Sequence, residues 1–422
     1  MVGETKTQQR RTFLKAVGGA AALSTITGRL DSVQDEAVKI GVYGPLTGPV
    51  SNIGADMRKG ATLAADQINE NGPGPRMQLF FGDSESEPAR GRSAVESLLD
   101  RQQVDIIAGG FHSDVSLAVI EVTSARNVPQ MISNSVSGAI NAKMKQQNMR
   151  NVFKMSPPSE SYGLGWQQFI DELQQRGDGY FPFAEKRIAM IAETTSYGIS
   201  VMDATVRYLE RSGWNIISQD EVAVDETNFT SLLTRVRAAN PDIVWAVQTS
   251  PSSGANLIKQ FRQIGFQDTH FMHTFVPSDP ETIRLAGGAA NGVLWMANID
   301  VIPRFAQEIG LTEAWRQQYG TEIPGSAGSL PYDNLQIIAK SLESIGSVSE
   351  LNVDSWERAV INLESHQGSA GYYDFPQGEP FHQAEWGIET IPALGYQIVN
   401  QESGLVWPPR YNETNIDNSL YQ

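Results

Sequence analysis

The feature that most restricts this chain is the alternation, from Val38 onward, of short β-branched runs with stretches at helical spacing. Val38–Tyr43 reads as a strand that ends in the turn-forming Gly44-Pro45-Leu46-Thr47-Gly48-Pro49. Gly54–Asn69 then sets Met57, Ala61, Leu63, Ala64, Ala65 and Ile68 at helical spacing, and Asn71-Gly72-Pro73 stops the element. Strands at Met77–Gly82, Val104–Gly109 and Gln130–Ser133 alternate with helices at Ala89–Gln102 and Val115–Arg126. Such a pattern specifies βαβ units, because parallel neighbours need a crossover that a helix supplies.

After Ser156-Pro157-Pro158 the pattern restarts. Helices are expected at Tyr162–Gln175, Ser196–Ser212, Asn228–Ala239 and Gly254–Ile264, and strands at Arg187–Ala192, Asn215–Val222, Asp242–Val247, His270–His273 and Val293–Met296. Helices at Pro303–Tyr319 and Pro331–Ile345 follow, then strand-like pieces near Gly371–Phe375 and Tyr396–Val399. One open sheet of so many strands would be unusually large, so the expected fold is α/β with two doubly wound parallel-sheet lobes. Ligands of doubly wound sheets sit beyond the carboxyl ends of the strands. That rule selects the loops Gly44–Gly48, Asp83–Pro88, Gly109–Asp114, Asn134–Ser137, Glu193–Gly198 and Gln248–Gly254. They are rich in Ser, Thr, Gly and Tyr and poor in paired acids and bases, which suits holding a small polar ligand better than moving protons.

Arg10-Arg11-Thr12-Phe13-Leu14-Lys15 precedes a Gly/Ala-rich run from Ala16 to Ile26, in the order of a twin-arginine export signal, so residues 1–35 are set apart as signal and linker. No apolar stretch approaches the roughly 20 residues that span a bilayer. Without residues 1–29 the formal charge moves from −16 to −20, which makes nucleic acid and anionic membrane surfaces poor partners. Only 10 of the 32 cations are lysine and the acids are dispersed, a surface that suits a high-salt habitat where repulsion is screened. The absence of cysteine excludes disulfides, thiolate metal sites, Cys nucleophiles and a lipoprotein anchor on cysteine.

The mature chain resembles the branched-chain amino-acid (leucine/isoleucine/valine) type of ABC-transporter solute-binding protein, with the type I periplasmic-binding fold. The resemblance rests on Ile40-Gly41, Pro45-Leu46-Thr47-Gly48, Gly54, Gly60, Ala64 and Ile68-Asn69, then Asp83, Pro88, Val104–Gly109 with Ser113, and Val128-Pro129. Tyr197-Gly198, the helix Leu257–Gly265 and Val406-Trp407-Pro408-Pro409 extend it. It implies three crossings between lobes, with lobe 1 at 38–155 plus 297–368, lobe 2 at 156–296 plus 369–410, and 411–422 as a C-terminal tail. It also implies hinge closure over the ligand. Permease subunits of an ABC importer are the implied partner, the location is extracytoplasmic, and the protein is expected to act as a monomer without metal or cofactor.

Carried over residue by residue, the family's hydroxyl for the ligand's α-carboxylate matches Ser113, the stretch after the fourth strand matches Ser135 and Ser137, and the covering tyrosine matches Tyr197. Hydroxyls and helix N-terminal amides can hold a carboxylate without a buried cation. His112, Thr249 and Phe275 complete the candidate site. Phe275 stands where branched-chain amino-acid binders place a Glu for the ammonium group, and an unpartnered buried ammonium is costly. Asp279, Glu281 or Glu193 could substitute, and a ligand without an ammonium group is the open alternative. The expected function is capture of an amino acid or a related small carboxylate or amide. The competing readings are a ligand-sensing module of the same fold and a secreted hydrolase, the latter disfavoured because no nucleophile elbow, P-loop or dinucleotide fingerprint occurs. His270-x-x-His273 has no supporting metal pattern, and spacing of three on a strand points the rings to opposite faces.

Overall fold

A computed structural model describes residues 37–176, 183, 185–266 and 268–421. The twin-arginine segment and its linker lie outside the described residues. The chain first builds a five-stranded sheet from β1 (Val38–Gly44), β2 (Met77–Asp83), β3 (Ile106–Gly109), β4 (Gln130–Ile132) and β5 (Val152–Lys154), in the order β2-β1-β3-β4-β5. Every pairing in it is parallel. The connecting helices are α1 (Ser51–Asn71), α2 (Pro88–Ser97), α3 (Ser113–Ala125) and α4 (Gly138–Gln146).

After α5 (Ser159–Gln175), the second sheet takes β6 (Arg187–Glu193), β7 (Asn215–Val222), β8 (Ile243–Gln248), β9 (His270–Phe275) and β10 (Leu294–Ala297). Its helices are α6 (Ser196–Arg211), α7 (Thr230–Ala238), α8 (Pro251–Ile264) and α9 (Pro280–Ala286). The chain returns to the first sheet with α10 (Pro303–Glu308), α11 (Leu311–Tyr319), α12 (Gly325–Ile345), α13 (Val353–Ile361) and a small ribbon of β11 (His366–Gln367) and β12 (Tyr372–Tyr373). It ends with β13 (Leu394–Val399) and β14 (Glu402–Trp407), which add antiparallel to β10 and close one edge of the second sheet, in the order β14-β13-β10-β9-β8-β6-β7.

Each sheet has its own core. Ile40, Val42, Ile106 and Ala108 pack under α1 and α12, and Ala189, Ile191, Val244 and Ala246 pack under α7 and α8. The other face of the second sheet buries Trp166, Trp214 and Trp245 against α5 and α6. Gly60 lets α1 and α12 meet backbone to backbone, since a Cβ there would stand 1.9 Å from the Gly328 carbonyl oxygen. Among the described residues no helix is long and apolar enough to cross a membrane.

Several expected elements differ from the observed ones. The helix expected over 303–319 is two helices, because Gly310 adopts φ 77° and the left-handed residue ends α10. Pro331, expected to open a helix, lies inside α12, which starts at Gly325 and carries Gly328 to its contact with Gly60. Residues 369–391, assigned to the second lobe, instead place Ala370, Tyr373, Phe375, Ala384 and Ile391 in the core of the first sheet. Their backbone joins β5, with Lys154 N–H donating to the His382 carbonyl at 2.9 Å and Ala384 N–H to the Lys154 carbonyl at 2.9 Å. The segment expected as a tail is packed on the second sheet: Tyr411 and Ile416 are buried, and the Gln397 amide donates to the Asp417 carbonyl at 3.0 Å.

Candidate functional site

The carboxyl ends of both sheets face one cavity of about 30 Å³, which as it stands closed has room for little more than a water molecule, so a larger ligand enters only as the sheets move apart. From the first sheet it is lined by Phe111, His112, Asn134 and Val136, on the loops after β3 and β4. Ser326 and Leu330 of α12 join them. From the second come Tyr162 of α5, Tyr197 of α6, Thr249 after β8 and Phe275 at the end of β9. Asn298 and Ile299, on the chain that crosses back after β10, form the floor between the two.

Local backbone chemistry sets these positions. Gly109 and Gly110 take φ values of 99° and 95°, and a Cβ on them would stand 2.4 Å from the Tyr43 carbonyl oxygen and 2.5 Å from the Tyr43 hydroxyl. Only glycine therefore turns the chain here to deliver Phe111 and His112. On the opposite side Thr195 caps α6, its hydroxyl accepting from Gly198 N–H at 2.9 Å, which sets Tyr197 in the first helical turn. Phe275 has φ 70° and ψ −61°, a γ-turn of the rarer hand that costs a non-glycine residue roughly 1–3 kcal/mol. That turn carries its ring to 5.8 Å from Phe111 and 6.3 Å from Tyr197, so three aromatic rings from both sheets meet over the cavity.

His112, Tyr197, Thr249 and Phe275 thus lie in one lining, whereas Ser113, Ser135 and Ser137 stand beside it and bond within the protein. Ser113 Oγ accepts from Ser137 N–H at 3.1 Å, and Ser137 Oγ accepts from Ala139 N–H and lies 3.0 Å from Ser196 Oγ. Ser135 Oγ is 2.6 Å from Ser116 Oγ, which reaches Tyr43 at 2.9 Å. The cleft is held closed by bonds across it. Ser196 N–H donates to Asp114 Oδ2 at 3.0 Å, and the Asn52 amide donates to Asp279.

Among the described residues no charged side chain lines the cavity. Burial pushes the His112 imidazole down to about 4, so it is neutral near pH 7. Glu193 lies one residue behind the wall. It accepts from Thr249 N–H at 2.7 Å and from the Thr249 and Thr195 hydroxyls, and burial raises its carboxyl to about 7 against those bonds. Asp279 is on the far side of Phe275 in a neighbouring pocket with Asn52 and Asp56, its acidity weakened chiefly by burial, and Glu281 is at the surface with Arg284. None of the three stands in the lining. The sequence reading missed Tyr162, Ser326 and Leu330, which no strand-end rule selects because they lie on α5 and α12, and also Asn298 and Ile299, which directly follow β10 and which the same rule would have found. Phe111 and Asn134 fall inside loops that it did select.

A cavity between two doubly wound sheets, walled by strand-end loops of both, is the arrangement of a cleft binder. The family model described as periplasmic binding protein matches residues 37–371. The chain belongs to that family. Among its relatives is an amino acid binding protein of Pseudomonas aeruginosa, 24% identical over 351 residues, which cover 82% of this chain and 87% of the relative. Among solved structures, a leucine binding protein from Thermotoga maritima superposes with a TM-score of 0.74 at 19% identity, covering 88% of this chain and 98% of that one. A solute binding protein from R. palustris in complex with benzoate gives 0.72 at 15% identity, covering 90% and 98%. These likenesses confirm the type I periplasmic-binding fold expected from the sequence. Membership of a periplasmic binding family places the chain's work outside the cytoplasm.

Proposed function

We propose that this periplasmic binding protein captures one small polar solute in the cavity between its two sheets and hands it to the permease subunits of an ABC importer. The observation that carries the reading is the lining itself: aromatic walls from both sheets, Tyr162 and Tyr197 buried and Phe111 and Phe275 half-buried, with a few polar groups, joined to a cleft that closes through bonds between the sheets. Such a site orients and desolvates a ligand. On this reading the lobes are 38–155 plus 297–391 and 156–296 plus 394–421, and they rotate about the three crossings. The ligand class is an amino acid of branched-chain type or a related small carboxylate or amide, and the benzoate held by the R. palustris protein adds aromatic acids to the compounds to try. His112, Tyr197, Thr249 and Phe275 are proposed as contacts, with Ser113, Ser135 and Ser137 setting the loops behind them. The protein binds without turnover and works as a monomer.

The test is a thermal-shift screen of the mature chain, in low and high salt, against leucine, its keto acid, benzoate and short amides. A true ligand at about 100 times its Kd adds roughly 2.7 kcal/mol to stability and raises the melting temperature. Turnover of any of these compounds by the purified protein contradicts the reading.

A further inference from the structure

Glu193 ends β6 as a fully buried carboxylate, and its two oxygens are shared by both second-sheet segments that carry Thr249 and Tyr197 to the cavity. One segment is the loop after β8: Thr249 N–H donates to Oε2 at 2.7 Å, and the Thr249 hydroxyl lies 2.9 Å from Oε2 and 3.1 Å from Oε1. The other is the start of α6: the Thr195 hydroxyl donates to Oε1 at 3.0 Å while it accepts from Gly198 N–H, the bond that caps the helix bearing Tyr197. Those bonds require an acceptor, not a charge. The charged and titratable groups that act on Glu193 are Asp114 of α3, a like charge that raises its carboxyl further, and the Tyr197 hydroxyl of α6. Among the described residues no cation acts on it. Ionised Glu193 is therefore a buried negative charge without a counter-charge, set directly behind a lining residue.

The Thr249 hydroxyl has one hydrogen, and ionised Glu193 takes it, which leaves that oxygen only lone pairs for another partner. A ligand nitrogen in contact with Thr249 lies at most two hydrogen-bond lengths, roughly 6 Å, from the carboxylate, the range in which an opposite charge holds a carboxyl ionised.

We infer that Glu193 is a positioning residue of the binding site which, through Thr249, supplies the negative charge that a cationic nitrogen of the ligand needs, so that binding such a ligand expels a proton from Glu193. This rests on the solute-capture reading and on a ligand that carries an ammonium group. The carboxyl, raised to about 7 by burial, is about half protonated in the free protein at pH 7, and a bound cation lowers it, so about half a proton leaves per ligand at that pH. The sign follows: affinity for an ammonium ligand rises with pH through the free protein's value, by about tenfold between pH 6 and pH 8. A ligand without the nitrogen gains nothing from the ionised form.

The experiment is calorimetric titration with leucine and with its keto acid at pH 6 and pH 8, and at pH 7 in two buffers of different ionisation enthalpy, which counts the protons released. Leucine should gain about tenfold across the range and release about half a proton at pH 7, and the keto acid should do neither. Glu193→Gln keeps an acceptor for the two threonines and loses the charge. It should flatten the leucine profile, abolish the proton release and bind leucine about tenfold more weakly than the parent at pH 8, with the keto acid held no more weakly than before. Lys154 and Asp300, at about 7 and about 6, titrate in the same window, and comparison with the variant cancels their share. A leucine affinity that does not change with pH, a slope that survives in Glu193→Gln, or a variant that weakens both compounds alike overturns the inference. So does binding of the keto acid without leucine, which leaves solute capture standing. Binding of neither compound removes the inference together with the reading beneath it.

Discussion

Lys154 gives the sharpest test of the energetics at the junction of the two sheets. It ends β5, is fully buried, and pairs with no carboxylate in hydrogen-bond contact. Burial lowers its ammonium from 10.5 to about 7, with Glu160 opposing from a distance. The native state then binds fewer protons than the unfolded chain between those values, so stability rises with pH across that window. Below pH 7 the full penalty applies, roughly 5 kcal/mol, and near pH 9 about 2 kcal/mol of it remains. Lys154→Met keeps most of the stem and removes the charge, but takes one donor each from the Ser156 carbonyl and Gln383 Oε1. Both oxygens keep another donor, from Gln383 Nε2 at 3.0 Å and Asn141 Nδ2 at 2.8 Å. Losing the two bonds costs about 2 kcal/mol. The variant should therefore be about 3 kcal/mol more stable than the parent near pH 6 and about equal near pH 9. Urea unfolding of both proteins at the two pH values reads this directly, because other titrating groups cancel in the difference. A stability difference that does not change with pH refutes the reasoning.

Glu193 should show the opposite window. Its carboxyl is raised to about 7 from 4.5, so the native state holds the extra proton and stability falls as pH rises between them, by roughly 3 kcal/mol in all. Glu193→Gln should match the parent near pH 4 and exceed it above pH 7 in the same unfolding assay, and parallel pH profiles would count against the assignment. Gly60→Ala must push α1 off α12, and a loss of about 1–3 kcal/mol is expected from denaturant melts; an unchanged midpoint would mean the helices are not in backbone contact. Gly198→Ala sets a Cβ 2.2 Å from the Glu193 carbonyl oxygen, so it should weaken ligand binding by displacing Tyr197 as well as lower the melting temperature.

Much of the fold was legible because parallel strands buried on both faces read as continuous apolar runs, as in Ile243–Gln248, and because helices such as α1 carry a clear buried face. Some short elements were not: β5 of three residues and α4 of nine were missed, although β4 and α7 of the same lengths were read. Residues 369–391 misled because their place is fixed by backbone bonds to β5, more than two hundred residues earlier, and by side chains that fill the first core. The site divides in the same way. Tyr197 and Thr249 sit at strand ends, where the topology rule looks. Ser326 and Leu330 arrive on α12, whose approach to the cleft depends on packing that no local pattern records. The serine hydroxyls show a further limit: a sequence places Ser113, Ser135 and Ser137 on the right loops without saying that they turn toward each other.

The central claim is that one solute enters the cavity between the sheets. Calorimetric titration of the mature chain beside Ser326→Trp tests it most directly, because Ser326 lines the cavity and its side chain makes no hydrogen bond to lose. Saturable binding at one ligand per chain that disappears in the tryptophan variant, while that variant still unfolds cooperatively, is the predicted result. Binding that survives the filled cavity would contradict it.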